Sequence, residues 1–305
     1  MIHRRSFLKT ILPLPMIASL AKAQSAGEGD KAQLSIGIIA DPQYANKEAR
    51  GSRYYRESLG KLRRAIAELN QHQLDLVVTL GDLIDEDFSS FNPVLKEYQS
   101  LKVPYYHVLG NHDFSVSDAE KARVPETLGL GKATYFSQQH SGWRLIYLDG
   151  TELSVFRYGI GDPRREEAQA YLDKLTEAKA ARGRPWNSGL TAKQFNWLEQ
   201  ELQAAKKASQ RVLLFNHLPV LPAEDGHNLW NAPELVTLLE KHDHVAAYLN
   251  GHNHAGNYVQ HQGAHYVNFK GMVETQAETA YAIVRCFQDR LEINGYGAEP
   301  SRSMR

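Results

Sequence analysis

Cysteine is almost absent from this sequence. Cys286 stands alone among 305 residues, which excludes an intrachain disulfide and any thiolate zinc site. An excess of one charge is absent as well: lysine plus arginine number 35, as do aspartate plus glutamate. With no long basic run, the chain does not read as a nucleic-acid binder, which must neutralise many phosphates. The apolar stretch from Ile11 to Leu20 falls short of the ~20 residues a membrane-spanning helix needs, so no stable membrane association is expected. No internal repeat or low-complexity segment occurs. Hydrophobic residues at 42% and charged residues at 23% allow a sizeable core and argue against disorder.

The first residues have the form of an address. Arg4-Arg5-Ser6-Phe7-Leu8-Lys9 resembles a twin-arginine export signal, the apolar stretch follows, and Ala21-Lys22-Ala23 supplies a small-x-small cleavage pattern. Residues 1–23 are therefore expected to engage the twin-arginine export machinery, and residues 24–33 to form a polar linker. Removal of the segment leaves 31 basic and 35 acidic residues, and the expectation is a soluble periplasmic or secreted protein.

From residue 34 onward short apolar runs alternate with amphipathic segments. Leu34–Ala40, Leu76–Leu80 and Tyr105–Leu109 read as strands, with helices over Tyr55–Asn70 and Val94–Leu101 between them. That order predicts a parallel sheet with crossover helices. Thr134–Ser137 and Trp143–Leu148 read as a hairpin joined by the polar residues 138–142. Residues 151–188, rich in charge, Gly and Pro, read as an insertion near the site with one helix over Arg165–Ala180. Thr191–Ala208 reads as a helix with Gln194 at the capping-box position, followed by a strand at Arg211–Phe215, a helix at Pro233–Lys241 and a strand at Val245–Leu249. The tail to residue 298 reads as a run of antiparallel strands.

The chemistry sits where the strands end. Asp41-Pro42-Gln43, Gly81-Asp82, Gly110-Asn111-His112-Asp113, His217 and Gly251-His252-Asn253-His254 each follow a predicted strand. Ligands in open α/β sheets gather at the carboxyl ends of strands. Five strands deliver Asp, Asn, Gln or His to that one edge, which is the donor set of a dinuclear metal centre. Two divalent cations ~3.5–4 Å apart share a bridging carboxylate and a bridging water that becomes the nucleophile. Mixed oxygen and nitrogen donors suit manganese, iron, zinc or magnesium.

Those five motifs, in that order over residues 34 to about 270, resemble the calcineurin-like metallophosphoesterases. The resemblance implies a four-layer α-β-β-α sandwich of two mixed sheets. It further implies one metal held by Asp41, Gln43, Asp82 and His254, and a second by Asp82, Asn111, His217 and His252. His112 would face the scissile phosphate and protonate the leaving oxygen, with Asp113 orienting it. The family's usual first motif is Asp-x-His, and Gln43 departs from it. Asp-x-Gln-Tyr, the segment from Arg53 to Leu59, Trp230-Asn231 and the run from Val267 to Thr275 are similar to the manganese-dependent ADP-ribose/CDP-alcohol diphosphatases. An amide oxygen in place of an imidazole hardens the first site toward manganese, with Fe2+, Zn2+ or Mg2+ as the other candidates.

The resemblance thus implies a small nucleotide-type substrate and cleavage of its diphosphate bond. A phosphodiesterase or phosphomonoesterase with the same metals is the alternative, and a silent metal-binding scaffold a further one. Tyr44, Arg53, Arg56 and Trp230, near the motif loops, are candidates for substrate contacts through stacking or a bidentate guanidinium. Trp186 is a further aromatic near the motifs. Cys286, in an apolar run, reads as inert core.

Overall fold

In the computed structural model, which describes residues 31–305, the first strand already displays the layering. β1 (Leu34–Ile39) turns Leu34, Ile36 and Ile38 into the space between two sheets and Ile39 toward helices on the other face. That is the alternation of a strand buried on both sides. The expected export signal and most of the linker lie outside the described residues.

α1 (Tyr55–Leu69) lays Leu62, Ile66 and Leu69 on this outer face, as their spacing requires. β2 (Leu76–Thr79), α2 (Phe91–Tyr98) and β3 (Tyr105–His107) complete two parallel crossovers. Two single-turn helices follow, α3 (Asp118–Lys121) and α4 (Val124–Thr127). They are too short to leave a periodic signal. β4 (Phe136–His140) and β5 (Trp143–Tyr147) form the expected hairpin with its turn shortened to Ser141-Gly142. Both turn residues have positive φ, 45° and 85°, the geometry that matches strand twist in two-residue hairpins. Residues 138–140, read as loop from their polarity, are therefore edge strand.

α5 (Pro163–Glu177) crosses the inserted segment, capped by the Asp162 carboxylate on Arg164 N at 2.9 Å. α6 (Ala192–Lys207) is capped by Thr191. Gln194 does not complete a capping box: its buried amide accepts from Asp149 N and donates to Asp149 O, both at 2.9 Å. β6 (Arg211–Phe215), α7 (Ala232–Leu239) and β7 (Val245–Asn250) follow. Then come β8 (Asn257–His261), β9 (Ala264–Asn268), β10 (Ala280–Cys286), β11 (Leu291–Gly297) and β12 (Arg302–Met304).

One sheet has the order β12-β11-β10-β1-β2-β3, the other β4-β5-β6-β7-β9-β8. Both are mixed. The tail corrects the expectation of a wholly antiparallel run, because β9, antiparallel to β8, lies parallel to β7, while β10, β11 and β12 pair antiparallel throughout. Pairing also continues past residue 298, through β12 on β11. The inner faces meet in one apolar layer that includes Leu213, Phe215, Leu249 and Cys286, while α1 and α2 cover one outer face and α6 and α7 the other. This is the four-layer sandwich. Each fully buried large side chain in it is worth about 1.5–3 kcal/mol, so the strand ends are held by a thick core.

Candidate metal centre and its cavity

Asp41, Gln43, Asp82 and His252, at the carboxyl ends of β1, β2 and β7, have positive φ of 48°, 41°, 51° and 73°. Such backbone costs about 1–3 kcal/mol per non-glycine residue. Its clustering at one edge marks a place where the fold gives up stability to aim side chains. Gly81, at φ 88°, makes the turn into Asp82. Gly110 is needed for a different reason: a Cβ there would overlap the Asp82 carboxylate and backbone nitrogen.

The side chains fall into two groups that share one atom. In the first, Gln43 Nε2 lies 2.8 Å from Asp82 Oδ2 and 3.1 Å from His254 Nε2, and His254 Nε2 is 3.5 Å from Asp41 Oδ1. In the second, His217 Nε2 lies 3.3 Å from Asp82 Oδ2, 3.1 Å from Asn111 Oδ1 and 3.0 Å from His252 Nδ1. Asp82 Oδ2 belongs to both. The structure brings all seven ligand residues expected from the sequence to this one edge, with Asp41 Oδ1 also 3.9 Å from His217 Nδ1.

Three observations test whether this donor set fits divalent cations. Gln43 Oε1 is buried without a hydrogen-bond partner, although a buried amide oxygen costs about 1–3 kcal/mol when unpaired. His217 Nδ1 is occupied by Leu80 O at 2.7 Å and His254 Nδ1 by Glu274 Oε1 at 2.7 Å, so each ring turns Nε2 inward. The charges agree. Burial by itself would lower the pKa of His217, but Asp82 and Asp41 outweigh it and raise it to about 9. His254 is likewise raised to about 9 against burial, by Asp41 and Glu274. Asp82, despite burial, is held well below the carboxylate range by His217 and His112. The cluster demands positive charge between these atoms, and Asp82, His217 and His252 offer ligand atoms that all lie within 4.8 Å of one another. The residues fit the metals.

His112 stands beside this centre. Its backbone N–H donates to Asp82 Oδ1 at 2.8 Å. Its Nδ1 lies 3.2 Å from Asp85 O and 3.1 Å from Asp85 Oδ1, which leaves Nε2 for a ligand. Burial works to lower its pKa, yet Asp82 and Asp85 raise it, favouring the protonated ring. The ring is thus held against Asp85, by its backbone carbonyl with the carboxylate close by, and not against Asp113. Asp113 is fully buried and accepts from Leu83 N and Gly110 N at 2.8 and 2.9 Å, so it fixes the loop backbone. Burial and the Asp82 charge push its pKa up to about 7. Asp85 is itself paired with Lys47.

A cavity of about 330 Å³ opens over the centre, at the small end of the ~300–1,000 Å³ usual for ligand pockets. Its walls include Arg53, His112, Trp186 and His227. Of the residues considered for substrate contacts, Arg53 and Trp186 line it, and Tyr44, Arg56 and Trp230 do not. Tyr44 bridges to Ile84 and packs against the α1 layer. Arg56 bonds Asn46 and Glu48 on the surface at 2.9 and 2.8 Å. Trp230 is completely buried against Leu153 and Leu172, and its Nε1–H donates to Arg184 O at 3.1 Å. Nearness in sequence to the motifs misplaced all three. Sequence reasoning also missed Asp85, Asn187 and His227, which no motif spacing marks, and gave Glu274 no role although it lies in the run from Val267 to Thr275.

Residues 34–256 match the family model of the calcineurin-like phosphoesterases. A manganese-dependent ADP-ribose/CDP-alcohol diphosphatase of Mus musculus is 30% identical, over 92% of this chain and 95% of its own length. One of Arabidopsis thaliana is 30% identical over 86% and 93%. Among solved structures, a dimetal phosphatase from Danio rerio superposes with a TM-score of 0.82 at 25% identity, covering 90% of this chain and 99% of that one.

Proposed function

The chain belongs to the calcineurin-like phosphoesterase family, and from that premise we propose that it hydrolyses the diphosphate bond of nucleoside diphosphate-linked compounds, ADP-ribose and CDP-alcohols among them. The observation that carries this reading is the meeting of two ligand groups at Asp82 Oδ2 with the His112 ring on the wall of the same cavity. The names of relatives aligned over nearly the whole chain support the choice of substrate.

Asp41, Gln43, Asp82 and His254 would hold one divalent ion, and Asp82, Asn111, His217 and His252 the other, manganese in both. Ions bound there would supply positive charge for phosphoryl oxygens and a water of lowered pKa. The residues of the chain do the rest. His112, whose pKa Asp82 and Asp85 raise against burial, donates its Nε2 proton to the oxygen that leaves as the P–O–P bond breaks. The attacking water forms the new P–O bond and releases one proton to solvent, from which His112 regains its own, and two phosphorylated fragments result. Asp85 fixes the ring so that Nε2 points to the cavity. Arg53 lies where its guanidinium can meet the distal phosphate, and Trp186, 46% exposed, offers a face for a nucleobase.

The test is hydrolysis by the mature protein with added manganese. It compares ADP-ribose, CDP-choline, a cyclic nucleotide and p-nitrophenyl phosphate, with His112→Ala as control. Faster turnover of the two diphosphates, lost in the variant, supports the reading; a lead for the monoester or cyclic nucleotide refutes the substrate assignment.

We also propose that the protein is exported through the twin-arginine route, on the strength of Arg4-Arg5-Ser6-Phe7-Leu8-Lys9 and the segment after it. Periplasmic fractions of expressing cells should contain a chain shortened by about 23 residues. Replacing both arginines with lysine should leave full-length protein in the cytoplasm, and unchanged export would refute the route.

A further inference from the structure

We propose that Asn187 is a positioning residue for the second metal site, fixing the tautomer and ring plane of His252. The inference rests on the metal-centre reading given above. Asn187 lies in the inserted segment and is completely buried. Its amide leaves no choice of orientation, because both Nδ2 protons are used, on Arg182 O at 2.9 Å and on Gly226 O at 2.8 Å. The oxygen is therefore the end that faces His252, with Oδ1 at 2.9 Å from Nε2.

An amide oxygen only accepts. His252 must then carry its ring proton on Nε2, which leaves the Nδ1 lone pair pointing at His217 Nε2, 3.0 Å away. A histidine ligand to a metal needs this arrangement, one nitrogen anchored by a hydrogen bond so that the other is free. The three imidazoles of the centre are anchored differently. His217 rests on the backbone carbonyl of Leu80, which no side-chain substitution removes. His254 rests on the Glu274 carboxylate. His252 rests on Asn187, so among the described residues this is the side chain that backs an imidazole of the second group. Without it the Nε2–H is buried and unpaired, a full desolvation cost, and the tautomer with the proton on Nδ1, which cannot ligate, becomes competitive.

The loop that presents Asn187 is itself clamped. Trp230 N donates to Ser188 O at 2.7 Å, and Asn231 accepts from Leu190 N and donates to Leu190 O at 3.1 and 2.8 Å. The Trp230-Asn231 pair thus acts on the centre through Asn187 and not through substrate.

Manganese binding to the metal-stripped chain, followed by the EPR signal of free Mn2+, tests the proposal. Wild type should take up two ions. Asn187→Leu should weaken the second by about 10- to 100-fold and leave the first unchanged. Asn187→Asp keeps an acceptor but loses both donor bonds. Its second oxygen then opposes Arg182 O and Gly226 O, so it should recover part of the affinity lost in Asn187→Leu, whereas a residue that only staples loops would make Asp behave like Leu. Equal loss at both sites, or no loss in Asn187→Leu, overturns the proposal while leaving the metal centre standing. A wild-type chain that binds no manganese overturns both. Should Asn187→Leu fail to fold, 15N spectra of the wild-type imidazoles decide, and a His252 ring with its proton on Nδ1 overturns the proposal.

Discussion

Glu274 Oε1 stands 2.7 Å from His254 Nδ1, and Arg53 Nε approaches the same oxygen at 3.8 Å. The two residues link the first ligand group to the cavity wall, since Arg53 lines the cavity. A carboxylate behind an imidazole makes it a stronger donor than a carbonyl or amide does. The first group also has two carboxylates, Asp41 and Asp82, where the second has only the shared one.

The first ion should accordingly be held more tightly. Glu274→Gln keeps an oxygen that can accept from Nδ1–H but removes the charge. The dissociation constant of the tighter manganese, read from the EPR signal of free Mn2+, should rise about 10-fold, with kcat at saturating manganese little changed. An unaltered affinity for that ion would show that the carboxylate serves only packing.

His112 and Asp85 make a second pair with a graded expectation. His112→Ala removes the proton donor and should lower kcat by about 10²–10⁴-fold. Asp85→Asn leaves the ring in place and removes the charge beside it, so its loss of kcat should be smaller, with KM unchanged. Asp113→Asn should instead act on stability, because both carboxylate oxygens hold backbone N–H groups, of Leu83 and Gly110. Steady-state kinetics together with a melting curve separate the two roles, and a larger kcat loss in Asp113→Asn would reverse the assignment.

The candidate ligands were legible in the sequence because each follows its strand within a few residues, and the sheet order brings those strand ends together. Their backing residues were not. Glu274 comes from the loop before β10, Asn187 from the inserted segment and Asp85 from beyond β2, and none keeps a fixed spacing from the residue it supports. Trp230 shows the converse. An aromatic near a motif suggested stacking, but its indole fills the space under α5 and bonds a loop carbonyl. What the eye takes for a binding residue is here part of the core.

Trp186, in the neighbouring wall, is the aromatic left exposed beside the centre. Trp186→Ala should raise KM for ADP-ribose and CDP-choline, since a base stacked on an aromatic ring is worth about 1–3 kcal/mol. The KM for p-nitrophenyl phosphate, which has no base, should hold steady. Equal effects on both kinds of substrate would point to a general disturbance of the cavity.

Lys61 offers a test that is independent of the metals. It sits on the buried face of α1 and donates from Nζ to Glu274 O and Thr275 O at 2.9 and 2.8 Å, bracing the loop that carries Glu274. Burial lowers its pKa from the ordinary 10.5 to about 8, with the Glu274 charge opposing the shift. Above pH 8 the folded chain releases this proton before the unfolded chain does, so the unfolded state binds more protons between about 8 and 10.5. Stability from this group therefore rises with pH across that window, and the neutral amine still has two protons for the two carbonyls. Lys61→Met has no such titration. Denaturant unfolding at pH 7.5 and at pH 10 should show wild type gaining stability relative to the variant at the higher pH. A difference that stays constant, or reverses, would mean that Lys61 is as well solvated in the folded chain as in the unfolded one.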